Sequence, residues 1–280
     1  MDAIAKTISD AVRNSLNNAA DDDYIDGDGY RCCAKCKKRK EFDAPHPFGG
    51  KKIRVGIPCD CKRAEMEAKK RQEEADRFKQ RMDALKRDGI TDPSYLRCTF
   101  ELDDSPGSQI SSVCRKYVSN WTEMRDSNTG ILFYGSVGTG KSFYACCIAN
   151  ALLKDLVPVS VTNLSRILNQ LSGFDGRQDV IDKLQKYDLL VIDDLGIERG
   201  SGYALEQIFN VFDSRMRAGK PLIVTTNLSK TELKNPGDIE HQRIYDRVLS
   251  MCPIQLKMDG TSRRIQISSD RAENARRVIR

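Results

Sequence analysis

The chain is 280 residues long, 39% hydrophobic and 31% charged, with a formal net charge of +6. No apolar run approaches the roughly 18 residues of a membrane helix and no signal peptide opens the sequence, so a soluble, cytoplasmic chain is expected. The ten cysteines do not imply a disulfide framework, which belongs to short secreted chains, and the length leaves room for one α/β domain of about 190 residues beside a smaller amino-terminal piece.

From the amino terminus, Ile4, Ile8, Val12 and Leu16 recur every four residues and predict a short helix over Asp2 to Asn17 with one narrow apolar stripe. Such a stripe packs on the chain's own body or docks on a partner. The acidic Asp21-Asp22-Asp23 run ends it. The stretch from Asp21 to Gly29 has the composition of a calcium loop but fails its spacing, because Tyr24 and Cys33 fall where ligands are needed from an Asp22 start.

Charge is unevenly distributed. Residues 1 to 29 hold two basic and seven acidic side chains, whereas residues 30 to 90 hold nineteen basic and ten acidic. A basic module suggests contact with a phosphate backbone or an acidic protein; a solvated charged helix over residues 62 to 88, where Lys, Arg and Glu mix at helical spacing, explains the same residues equally well.

Within that segment Cys33-Ala-Lys-Cys36 is followed by Cys59-Asp-Cys61. Two such pairs supply four thiolates for a tetrahedral Zn²⁺ site, so a piece too small for its own core can fold on metal-binding energy. The closing C-x-C is tighter than the usual C-x₂-C. Cys32 and His46 are alternative ligands, and a redox pair or unligated thiols are the competing explanations. Cys98, Cys114, Cys146, Cys147 and Cys252 lack ligand spacing and are expected as small core residues.

From about residue 91 the pattern becomes one compact domain of alternating strands and helices. Strands are expected near 131–135, 157–162, 188–193, 221–226 and 253–257, and helices near 108–125, 141–154, 164–171, 177–186, 203–218 and 239–250. This alternation implies a mostly parallel sheet covered on both faces.

The first strand runs into Gly135-Ser136-Val137-Gly138-Thr139-Gly140-Lys141-Ser142, a complete G-x-x-x-x-G-K-S phosphate-binding loop. Glycines there let the backbone fold tightly and aim N–H groups at phosphate oxygens while the next helix presents its positive end. The pattern predicts a nucleoside-triphosphate site, with Lys141 on the β- and γ-phosphates and Ser142 on Mg²⁺. A second apolar run, Asp188-Leu-Leu-Val-Ile-Asp193-Asp194, ends in two acids: Asp193 would hold Mg²⁺ and Asp194 would polarise the attacking water. The same pair would alternatively cap the following helix. A third buried strand, Pro221-Leu-Ile-Val-Thr-Thr-Asn227, ends in an amide placed to sense water or γ-phosphate.

Near the carboxyl terminus Arg243 and Arg247 are four apart on one helical face, and Ser262-Arg263-Arg264 follows the last expected strand. At this point the sequence resembles the AAA+ helicase loaders of the DnaC/DnaI type and the related IstB-like transposition ATPases over about residues 95 to 267. The resemblance rests on Gly135 to Ser142, Leu189 to Gly196, Tyr203 to Asn210, Pro221 to Leu228 and Arg243 to Val248. It implies a P-loop AAA+ fold with a five-stranded parallel sheet of order 5-1-4-3-2. It also implies Asn227 as sensor 1, Arg247 as an arginine finger with Arg243 beside it, and Arg264 as the sensor 2 arginine. A finger usually acts on a neighbouring subunit's ATP, so an oligomer or complex is expected.

Most members carry Asp-Glu where this chain has Asp193-Asp194, and a shorter acid farther from water suits a slow, switch-like ATPase. The expected organisation is an amino-terminal helix and zinc module over 1–61 that contacts a helicase, a charged linker helix over 62–90, and an AAA+ ATPase domain over 91–280. The implied partners are a hexameric DnaB-type helicase and single-stranded DNA, the latter near Arg177, Lys183 and Lys186. A transposition helper ATPase and a zinc-dependent adaptor with a structural ATP site are the rival readings.

Overall fold

The computed structural model describes residues 22–46, 52–90, 92–172, 177–196 and 202–263, with scattered positions beyond. The expected helix over Asp2 to Asn17 and the position of Arg264 lie outside the described residues. The chain divides into two compact units, Met1–Lys79 and Gln80–Arg280.

The smaller unit is built from two short antiparallel hairpins. Strand β1 (Tyr24–Ile25) pairs with β2 (Arg31–Cys32), and β3 (Glu41–Ala44) pairs with β4 (Ile53–Gly56). Lys40 and Asp23 form an ion pair of 2.6 Å with both side chains nearly fully buried. Helix α1 (Asp60–Gly89) follows. Its side chains from Lys62 to Arg81 are exposed, and pairs such as Lys62–Glu65 and Arg63–Asp60 line its surface.

In the larger unit, α2 (Pro93–Leu96), α3 (Gln109–Ser119) and α4 (Trp121–Asp126) precede the sheet. The strands β5 (Ile131–Tyr134), β6 (Val159–Asn163), β7 (Leu189–Leu195), β8 (Leu222–Thr226) and β9 (Ile254–Lys257) then alternate with helices α5 (Lys141–Lys154), α6 (Leu164–Leu171), α7 (Arg177–Lys186), α8 (Gly202–Arg217), α9 (Lys230–Lys234) and α10 (Ile239–Met251). All pairs in this five-stranded sheet are parallel, in the order β6-β7-β8-β5-β9. Numbered from β5, that is the expected 5-1-4-3-2 order.

The strands are largely apolar because both faces are covered, with Ser160 and Thr162 of β6 and Thr225 and Thr226 of β8 as buried polar exceptions. Leu132, Leu190, Ile192, Leu222 and Val224 face a core shared with α6, α7, α8 and α10. Their alternates Ile131, Phe133, Leu189, Val191 and Ile223 face a second core with α3, α4 and α5. On α8 the buried positions Leu205, Ile208, Val211, Phe212 and Arg215 recur at three- and four-residue spacing, which fixes the face laid on the sheet.

Several boundaries differ from expectation for local reasons. The helix expected over 108–125 breaks at Asn120, whose backbone leaves helical geometry (φ −107°, ψ 27°) and whose side chain donates back to the Lys116 carbonyl. Pro158 delays β6 to Val159, having no N–H to donate; its carbonyl accepts from the N–H of Asp188 at 2.8 Å. Strand β7 runs to Leu195 through a bulge against β8 between Ile192 and Leu195. The short α9 was not expected, although Ser229 and Glu232 form a reciprocal capping box at its start.

Arg215 is a buried cation inside this core. Its side chain is 0% exposed, and its guanidinium donates to the carbonyls of Tyr187 (2.8 Å), Asp188 (2.8 Å) and Pro221 (2.7 Å from Nη2). Burial lowers its pKa to about 10, against the opposing pull of Asp188, so it remains charged at neutral pH. It joins α8 to the starts of β7 and β8. Arg215→Met, which keeps much of the volume but removes the guanidinium from the Tyr187, Asp188 and Pro221 carbonyls, is expected to lower unfolding free energy by about 2–4 kcal/mol in urea titrations of the whole protein; an unchanged midpoint refutes this role.

Candidate functional site

The carboxyl edge of the sheet collects the polar residues. Between β5 and α5 the backbone of Gly135, Gly138 and Gly140 takes φ values of +123°, +79° and +99°, conformations that side-chain-bearing residues rarely adopt. Space forbids a side chain as well: a Cβ at Gly138 would lie 2.0 Å from Ser262 Oγ, and one at Gly135 2.6 Å from the Met258 carbonyl. Helix α5 begins after Gly140 with no capping side chain, so its first amides are presented to the loop's concavity. Val137 is exposed. Thr139 Oγ1 closes the turn on the Ser136 carbonyl at 2.9 Å.

Lys141 is buried, and its ammonium donates to the carbonyls of Gly135 (2.9 Å) and Ser136 (2.6 Å). Half-buried Ser142 follows on the first turn of α5. Such a cradle of amides, one cation and one hydroxyl suits a phosphate chain, and the oxygen donors Ser142 and Asp193 suit a hard cation such as Mg²⁺.

Asp193 is 6% exposed. Its Oδ1 accepts from Thr225 Oγ1 at 2.6 Å, and its Oδ2 from Tyr95 OH at 3.1 Å. Burial, then the adjacent carboxylate, push the Tyr95 phenol well above its ordinary range, which keeps it a donor. The next residue, Asp194, has left-handed backbone at φ +59°. Asx residues tolerate that region better than most, and here the bulge enforces it. The Asp194 N–H donates to Thr225 Oγ1 at 2.9 Å, while Thr226 Oγ1 donates to the Leu195 carbonyl at 2.6 Å. Thr225 therefore holds the acid pair from one side, and Thr226 holds the residue that follows it.

Exposed Asn227, at the end of β8, lines a cleft of about 500 Å³ with Tyr134, Gly135, Ser136, Lys230 and Asp259. The sheet thus brings Asn227 to the phosphate loop. Arg243 and Arg247 are elsewhere, in a separate cleft of about 430 Å³ that they line with Ile239 and Asp246. Their guanidiniums lie 4.1 and 5.7 Å from the ring centroid of Phe209, and Arg247 also pairs with Asp213 at 3.2 Å. The residues of this second cleft are distinct from those of the first.

Arg263, beside Arg264, does reach the phosphate loop. Its N–H donates to the Gly138 carbonyl at 2.9 Å, its guanidinium pairs with Asp104 at 3.0 Å, and it flanks Gly140. Asp103 accepts from Ser111 Oγ (2.6 Å) and Tyr144 OH (2.9 Å); burial alone would raise its pKa, but these donors hold it below the ordinary range. Tyr95, Thr225, Arg263 and Asp103 were not singled out by motif. Two of them had a sequence signal: Arg263 in the Ser262-Arg263-Arg264 run, and Thr225 within the apolar run Pro221 to Asn227.

In the smaller unit the sulfurs of Cys33, Cys36, Cys59 and Cys61 all lie within 4.8 Å of one another. Tetrahedral zinc–thiolate geometry needs sulfurs about 3.8 Å apart, so this set fits the ion with little adjustment. The knuckle turns at Lys37, where φ is +59°, and the N–H of Lys37 donates to the Cys33 carbonyl at 2.9 Å. Backbone N–H groups of Lys38 and Cys61 draw the Cys36 thiol down to about 6, whereas burial and the Cys36 sulfur push Cys61 up to about 11. Cys32 points its sulfur at Asp26 Oδ2 (3.6 Å) and the Tyr30 carbonyl (3.7 Å) instead, and neither it nor His46 belongs to the cluster. Of the remaining cysteines, Cys114, Cys146, Cys147 and Cys252 are buried, while Cys98 is only partly so.

Several known proteins resemble this chain. Relatives include the uncharacterised protein YdaV of Escherichia coli, 28% identical over 194 residues (65% of this chain, 75% of that one). The replicative helicase loader DnaC of Escherichia coli is 28% identical over 171 residues (58% of this chain, 66% of that one). A putative ATP-binding protein of an insertion sequence from Mycobacterium tuberculosis is 24% identical over 144 residues (50% and 57%). Among solved structures, DnaI superposes with a TM-score of 0.52 at 21% identity, covering 62% of this chain and 94% of that one. The DnaC helicase loader gives 0.50 at 22%, covering 60% and 100%; both are likenesses of fold. The family model of the IstB-like ATP binding protein matches residues 66–271, and the chain belongs to that family of AAA+-fold ATP-binding proteins.

Proposed function

We propose that this chain is an ATP-switched loader that places a hexameric DnaB-type replicative helicase on single-stranded DNA. The observation that carries the proposal is the joining of a complete phosphate loop, an acid-tipped strand and Asn227 at one sheet edge, in a chain whose relatives include replicative helicase loaders. Residues 1–61 would contact the helicase, 62–90 would link, and 91–280 would bind and hydrolyse ATP. The zinc held by Cys33, Cys36, Cys59 and Cys61 would supply the folding energy that a piece of this size lacks.

In this reading Lys141 leaves the Gly135 and Ser136 carbonyls for the β- and γ-phosphates. Ser142 and Asp193 would hold Mg²⁺, which neutralises phosphate charge. Asp194 orients water and Asn227 senses the γ-phosphate. Arg247, with Arg243 beside it, would reach the ATP of a neighbouring protomer, a role supported by their position in a separate cleft. Arg264 would act as the sensor 2 arginine. ATP binding would then favour the assembled, DNA-engaging state and hydrolysis would release it. The basic positions Arg177, Lys183 and Lys186 on α7 would meet the DNA backbone; the latter two are exposed.

A transposition helper ATPase is the second reading, favoured by the insertion-sequence relative. Capture of purified protein by replicative helicase, but not by a transposase, decides between them. Lys141→Ala is expected to abolish ATP binding in calorimetry while helicase capture persists; loss of capture by a folded variant overturns the division of labour. Arg247→Ala is expected to lower ATP turnover at least about a hundredfold with nucleotide affinity nearly unchanged, and equal loss of both removes the finger role. One zinc per chain is expected by metal analysis, falling to background in Cys33→Ser; a full zinc content in that variant excludes the four-thiolate site.

A further inference from the structure

Segment 92–98 contains no phosphate-site motif and none of its residues is fully buried, yet it is tied to both halves of the nucleotide domain's polar edge. Asn150, on the helix that follows the phosphate loop and itself 5% exposed, donates from Nδ2 to the carbonyls of Tyr95 (2.8 Å) and Cys98 (2.7 Å). Asp92 caps the start of the short α2 by accepting from the Ser94 N–H at 2.8 Å. So anchored, Tyr95 extends its phenol to Asp193 Oδ2, 98 positions away in the chain. From the opposite side Thr225, 0% exposed, donates to Oδ1 and receives the Asp194 N–H.

A carboxylate oxygen has two acceptor sites. Each hydroxyl occupies one, so both oxygens of Asp193 keep a site for a metal ion or its bound water. A buried carboxylate held by two donors lacks the rotational freedom that would weaken it as a cation partner.

We propose that Tyr95 is a positioning residue: its hydroxyl, paired with that of Thr225, clamps Asp193 in the orientation from which it would meet the nucleotide's magnesium. The proposal rests on the ATP-site reading above and adds a residue to it. Tyr95 also ties the two halves of the site together, since its backbone is held by the phosphate-loop helix and its side chain by the acid-tipped strand.

The test measures affinity for a fluorescent ATP analogue in Mg²⁺ and in EDTA, using full-length protein. The ratio of the two affinities reports the metal contribution, and the EDTA value reports the phosphate cradle alone. Tyr95→Phe, which removes one oxygen, is expected to reduce that ratio about tenfold, or about 1.4 kcal/mol, with the EDTA affinity retained. Thr225→Ser should keep the wild-type ratio and Thr225→Val should lose it; this pair carries the test if Tyr95→Phe melts too readily to assay. An unchanged ratio in Tyr95→Phe overturns the clamp, as does an equal drop in both buffers, which would make Tyr95 a structural strut. A wild-type protein that binds equally in both buffers also overturns it. Wild-type protein that binds nucleotide in neither buffer defeats the ATP-site reading itself, a result distinct from the others because no variant is needed to see it.

Discussion

Helices cover the central sheet on both faces, so along the strands a side chain meets hydrocarbon on either side. Most polar groups gather at the sheet's edges: Arg215 where β7 and β8 start, and the loop after β5, the acids of β7 and the amide following β8 at the carboxyl edge, where the strands stop and the crossovers begin. The edge also decides which polar groups stay dry. Asp193 is nearly buried and is tolerated because two hydroxyls satisfy its charge, whereas Asn227, one step beyond β8, stands in solvent.

The same burial explains what was legible in the sequence. Unbroken apolar runs such as Leu189 to Ile192 announce strands of a parallel sheet, and the run at Ile131 to Tyr134 is identified further by the glycine-rich loop behind it. The cysteine pairs were legible by spacing, which chose Cys33 and left Cys32 as an alternative. Asp26 and Tyr30 draw the Cys32 sulfur aside. Arg215 was illegible for a different reason: a cation on an amphipathic helix reads as a surface residue, and nothing local reveals three carbonyls arriving from β7 and β8. Tyr95 carries no signal, because its partner is nearly a hundred residues away and its short helix has no apolar period. The left-handed backbone of Asp194 is likewise a product of the bulge against β8, a pairing event that one strand's sequence does not contain.

Two clefts with different charge logic share the larger unit. One gathers Asn227 and the phosphate loop; the other gathers Arg243 and Arg247 over Phe209, with Asp213 holding Arg247 by its Nε. Stacking on an aromatic face and pairing with an acid both restrict a long, flexible side chain. Guanidiniums ordered in this way lose less freedom on meeting an anion than free ones would, a property that favours recognition by shape as well as by charge.

The phosphate loop clasps itself. Lys141 is bound by two uncharged carbonyls, and any ligand that recruits its ammonium has to offer better acceptors. Charged oxygens do so, because they add charge–charge attraction to the hydrogen bond with the ammonium. A nucleoside lacking phosphates does not, and would leave the lysine where it is. Discrimination against such compounds is therefore set inside the loop, before the base or sugar has touched the protein.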